Sequence, residues 1–150
     1  MRFVLLALAL GIGGCRVAPP KTSGTFADLQ PQLDRLVRAT DPHAFLVIEL
    51  EDTPHFVQFS AGADVIELDY PIVTVEQRSR EAAVRQFCTT AGHRLRETTG
   101  SNGARFLDCD LPRDATLAAA AVRQALEAVF GATATTRLLF GGDRLPAVAA

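Results

Sequence analysis

Residues 44–70, AFLVIELEDTPHFVQFSAGADVIELDY, decide how this chain folds. The first eight alternate. Ala44, Leu46, Ile48 and Leu50 point one way, and Phe45, Val47, Glu49 and Glu51 the other. Residues 55–60 and 64–70 follow, set apart by Asp52-Thr53-Pro54 and Ala61-Gly62-Ala63. Successive side chains on a strand point to opposite faces. Period-two patterning with Pro and Gly punctuation therefore predicts a three-stranded antiparallel meander with one buried face.

Outward from the meander the period changes. Upstream, Thr25 stands three residues before Asp28, a capping-box-like start. Phe26, Leu29, Leu33, Leu36 and Val37 then recur at helical spacing and predict a helix over 26–39, ended by Asp41-Pro42. Downstream, Tyr70-Pro71 is expected to break the ladder, because proline has no amide to donate. Thr74 and Gln77 open a second helix. Its stripe is Ala83, Val84, Phe87, Cys88 and Ala91, and Gly92 stops it. Strands are expected at 93–98 and 104–111 around Gly100-Ser101-Asn102-Gly103. Asp114 opens a last helix over 116–130, and Gly131 ends it. Residues 137–140 read as a short added strand and 141–150 as a disordered tail. The order α-β-β-β-α-β-β-α predicts an α+β, two-layer domain over 25–140. Its antiparallel sheet has about five strands, with helices on one face.

The chain has 150 residues and a net charge of −2. That is room for one domain with a proper core. Its charges are interspersed, without the basic stripe of a nucleic-acid binder, so no nucleic-acid partner is expected. Met1-Arg2 precedes an apolar run over 3–12, FVLLALALGI, which is too short to span a membrane. Ile12-Gly13-Gly14-Cys15 resembles the lipobox of bacterial lipoproteins. The resemblance implies a signal peptide over 1–14 and a diacylglycerol on the Cys15 sulfur, often with a third, amide-linked chain. Several chains suit the physics, since a single acyl chain anchors only marginally. An ordinary signal peptide or a buried N-terminal helix are the alternatives. Residues 15–24, with two prolines, Ser and Gly, then read as a flexible lipid-anchored tether. Arg16 stands where an Asp would resemble an inner-membrane retention signal, which favours the periplasmic face of the outer membrane in a Gram-negative cell.

Cys88 and Cys109 remain. An even pair in an exported protein suggests a disulfide. It would enclose about 20 residues and contribute about 3 kcal/mol through chain entropy. Two buried free thiols are the alternative.

FLVIEL over 45–50 followed by HFVQFS over 55–60, together with the element order, resembles the YbjN-like and type III secretion chaperone-like proteins, including the TY-Chap domains. The resemblance covers about residues 25–130. It implies an α+β domain that binds peptides or partner proteins.

With helices on one face, Val57, Phe59, Ile66, Leu68, Tyr70, Leu95, Leu107 and Cys109 join the inner side. The outer side collects Phe45, Val47, Phe56, Val65 and Phe106. With them stand Glu49, Glu51, Glu67, Asp69, Asp108 and Asp110, and Arg94 and Arg96. A mixed apolar and acidic face is a candidate surface for an extended or amphipathic partner carrying basic residues. An ordinary solvated face and a homodimer contact are the alternatives.

Paired acids, Glu49 with Glu51 and Asp108 with Asp110, could serve a hydrolase as general acid and base. No nucleophile elbow, P-loop or zinc-protease helix accompanies them, so no catalytic residue is assigned. His43, His55 and His93 are scattered, with His55 beside Glu51 and Asp52 the nearest approach to a ligand set. No metal or cofactor is expected.

Overall fold

A sheet with one apolar face has to bury that face, and three helices among the described residues do so here. The computed structural model describes residues 19–150. The expected signal peptide, Cys15 and the first part of the tether lie outside the described residues. The strands are β1 (Thr22–Gly24), β2 (Phe45–Leu50), β3 (Phe56–Ala61), β4 (Val65–Ile72), β5 (Leu95–Thr99), β6 (Arg105–Pro112) and β7 (Leu138–Asp143). They form one antiparallel sheet in the order β1-β7-β2-β3-β4-β6-β5. The helices are α1 (Leu29–Arg38), α2 (Val75–Thr90) and α3 (Ala115–Phe130). Among them α3 packs against both α1 and α2. No helix among the described residues is long and apolar enough to cross a membrane.

The helix starts follow their caps. Thr25 and Asp28 form a capping box on a 3-10 turn, Phe26–Asp28, before α1 begins. The helix expected from residue 26 therefore opens as a tighter turn. Pro31 falls in the first turn of α1, where its missing amide leaves no bond unmade. Thr74 and Gln77 close a second capping box on α2. The Asp114 carboxylate accepts from the Leu117 amide to start α3. Gly131, at φ +66°, ends α3 in the left-handed conformation that glycine adopts without a Cβ penalty.

The inner-face assignment is met in full. Leu46, Ile48, Leu50, Val57, Phe59, Ile66, Leu68, Tyr70, Leu107 and Cys109 are buried in one core with Leu33, Leu36, Val84, Phe87, Val122 and Leu126, and Leu95 packs at its margin.

The α+β, antiparallel reading holds, but among the described residues the sheet has seven strands where about five were expected. Residues 22–24, read as tether, pair with β7 as an edge strand. Residues 141–143, read as tail, belong to β7, which inserts between β1 and β2. The Gly141-Gly142 step masks β7 in the sequence because glycine is a poor strand former. Position 142 needs it, since a Cβ there would lie 2.3 Å from the Phe45 carbonyl oxygen. The segment after β7 is also held. Arg35 Nε donates to the Pro146 carbonyl at 2.6 Å, Arg38 Nη2 donates to that of Ala147 at 2.8 Å, and Leu145 packs on the core.

Pro71 does not break the ladder as expected. It pairs with Phe106 inside β4. The β3 ladder on the other side of β4 ends at Gln58 and Asp69, so Pro71 sits where β4 has a partner on one side only.

Candidate functional site: the helix-free face of the sheet

The strand registers write out the outer face as rows. One row runs Gly141, Val47, Gln58, Asp69, Asp108, Arg96 from β7 across to β5. The next runs Asp143, Phe45, Ser60, Glu67, Asp110. The face thus has two halves. An apolar half on β7, β2 and β3 carries Leu139, Val47, Phe45 and Phe56. A carboxylate half on β4 and β6 carries Glu67, Asp69, Asp108 and Asp110.

The apolar half is half-buried, and no helix among the described residues covers it. Lys21 crosses it. Its stem passes over Gly141, and its Nζ pairs with Glu49 at 2.6 Å. Glu51 lies just past β2, where Arg137 pairs with it at 3.1 Å. Phe106, expected beside the exposed apolar residues, is buried against its own turn, where it neighbours Gly100.

The carboxylate half departs further from expectation. Glu67, Asp69 and Asp108 were read as accessible acids, yet they are only 3%, 9% and 3% exposed. Each offers an oxygen, and these oxygens lie within 4.8 Å of one another. Like charges opposed across a sheet repel, so such a cluster needs a proton, a cation or a matching base. A base is in place. Arg96 Nη2 lies 2.5 Å from Asp110 and 3.3 Å from Glu67. Burial, then Asp108, then Glu67 push the Asp69 carboxyl well above the ordinary carboxylate range, which favours a proton within the Asp69–Asp108 pair. Ser60 donates to Asp69 at 3.2 Å and Thr98 to Asp108 at 2.8 Å. The three carboxylates would also suit a hard divalent cation, which prefers oxygen ligands.

Sequence reasoning put Phe45, Val47, Glu49, Glu51, Phe56, Glu67, Asp69, Phe106 and Asp108 on or beside this face, and the strand registers do so. The structure does not bring them together as one acidic surface, because every acid among them is matched or buried. The hydroxyls of Ser60 and Thr98 and the ammonium of Lys21 were missed. Strand register would have found the first two, as Ser60 stands opposite Glu67 and Thr98 lies one alternation from Arg96.

His55 lies apart, at the β2–β3 turn. It stacks on Phe130 with ring centroids 5.0 Å apart, and burial followed by the Arg80 charge lowers its pKa. The expected bridge partners, Cys88 of α2 and Cys109 of β6, are both fully buried free thiols in the same core cluster. Compared with known protein families, with characterised proteins and with solved structures, the chain matches none of them.

Proposed function

We propose that the apolar half of the helix-free face binds an extended peptide or protein segment, and that the domain does so as a lipid-anchored lipoprotein of the bacterial envelope. One observation carries the binding reading. Phe45, Val47, Phe56 and Leu139 form an apolar strip, interrupted by Glu49 between Phe56 and Leu139, on the side of the sheet away from the three described helices. Side chains at alternate positions of an extended partner would meet that strip, with the Lys21–Glu49 pair set within it fixing orientation. The matched acids turn the reading away from a strongly basic partner toward an apolar one. The resemblance to YbjN-like and TY-Chap domains points the same way. The lipobox-like Ile12-Gly13-Gly14-Cys15 supports the anchor.

A photo-crosslinking residue at Gln58 in intact cells tests the binding. Adducts should appear with one or a few polypeptides and fall at least about fivefold, a loss of about 1 kcal/mol, when Val47 is changed to Asp. Unchanged adducts would remove the strip as the binding surface. Adducts of twice the protein's own mass would mark it as a homodimer contact. Cys15→Ser should release the protein from membranes, and retention would remove the lipid anchor.

A further inference from the structure

We propose that Cys88 and Cys109 close into a disulfide while the domain folds in contact with a disulfide oxidant, and that the finished core then seals the bond from reductants. The two residues are 21 positions apart in sequence and come from different layers, Cys88 from the packed face of α2 and Cys109 from the inner face of β6. Each is fully buried in the same core cluster, where α2 packs on β5 and β6. Around them stand apolar core residues, including Phe87, Leu107 and Leu95.

Burial fixes the order of events. An oxidant the size of glutathione disulfide cannot reach either sulfur once α2 lies on the sheet. The exchange therefore takes place before α2 docks or during an opening that lifts it. One cysteine thiolate attacks a sulfur of glutathione disulfide and releases one glutathione thiolate. The other attacks the resulting mixed disulfide and releases the second. The two protons lost by the cysteines end on the two glutathiones, and the protein is oxidised by two electrons as glutathione disulfide is reduced. The bond would tie α2 to the β5–β6 hairpin. Meeting such an oxidant in the cell rests on the exported reading proposed above.

Trypsin cuts after Arg85, Arg94, Arg105 and Arg113 and leaves the two cysteines in separate peptides, 86–94 and 106–113. The full chain is refolded with glutathione disulfide, alkylated in urea and digested without reductant. The linked peptide pair is the expected product, and both peptides alkylated would overturn the bridge. The same digest on protein taken from cells under acid quench separates the two ideas. A linked pair in the refolded protein with free thiols in the cellular protein keeps the bridge and removes the exported reading. The seal has its own readout. Dithiothreitol should reduce the native bridge at least about a hundredfold more slowly than the urea-unfolded one. Equal rates would overturn the sealed core.

Discussion

Asp69 and Asp108 stand directly opposite each other on β4 and β6, and burial with the facing Asp108 raises the Asp69 carboxyl well above the ordinary carboxylate range. The folded state therefore binds a proton there more tightly than the unfolded chain does. Stability from it is complete below the ordinary Asp pKa and is lost as the pH rises toward the raised value in the fold. Each pH unit in that window removes up to about 1.4 kcal/mol. His55 acts in the opposite sense. Its lowered pKa contributes stability above the ordinary histidine value that is lost as the pH falls through the folded one. Urea unfolding from pH 4 to 8 should show the Asp69 loss in the wild type and a flatter profile in Asp69→Asn, whose amide can donate to Asp108 at every pH. Equal slopes in the two proteins would contradict the raised Asp69 carboxyl.

The acids of the outer face should separate into two kinds. Asp108→Lys puts an ammonium into a site that is 3% exposed and should cost about 3 kcal/mol or more. Glu49→Gln removes one partner of a partly exposed pair and should cost less than about 1 kcal/mol. Chemical denaturation of both variants decides this, and similar losses would mean the two sites are equally solvated.

Arg113 ties three segments together. Its guanidinium donates to the Gly62 and Ala63 carbonyls of the β3–β4 turn and to Val37 and Ala39 at the end of α1. Arg113→Ala should lose about 2 kcal/mol, because charged donors to carbonyls are among the stronger hydrogen bonds. Arg113→Lys should recover less than half, since a point charge cannot span both segments. Full recovery in the lysine variant would show that charge alone matters there.

Gly142→Ala should cost about 2–3 kcal/mol, as the new Cβ meets the Phe45 carbonyl. Hydrogen exchange should quicken first in β7 and β1. Gly141→Ala, whose nearest neighbour would be the flexible Lys21 stem at 3.6 Å, is the tolerated control. A Gly142→Ala protein as stable as that control would be inconsistent with the close approach.

The parts legible in the sequence were those in which local pattern and burial agree. Alternation in β2 follows the core because Leu46, Ile48 and Leu50 all face helices. Thr25, Thr74 and Asp114 cap helices through bonds within a few residues, so their sequence neighbours announce them. The edges were not legible. Pairing of Thr22 with Phe140 depends on partners far apart in the chain, and Gly141-Gly142 suppresses the local signal. The carboxylate cluster was half legible. Alternation put Glu67, Asp69 and Asp108 on one face, but their burial comes from cross-strand neighbours such as Thr98 and Arg96, and single-strand patterning carries no register.

The position of β7 between β1 and β2 also governs timing. Ser23 and Glu49 both wait for Leu139 before their strands are paired on that side. As the polypeptide emerges from the ribosome, the meander of β2, β3 and β4 can assemble early, while one flank of β2 stays open until residues 138–143 arrive. The nascent chain thus spends most of its synthesis with an unfinished sheet, a vulnerable interval for edge-to-edge aggregation and an opportune one for any factor that must hold it unfolded.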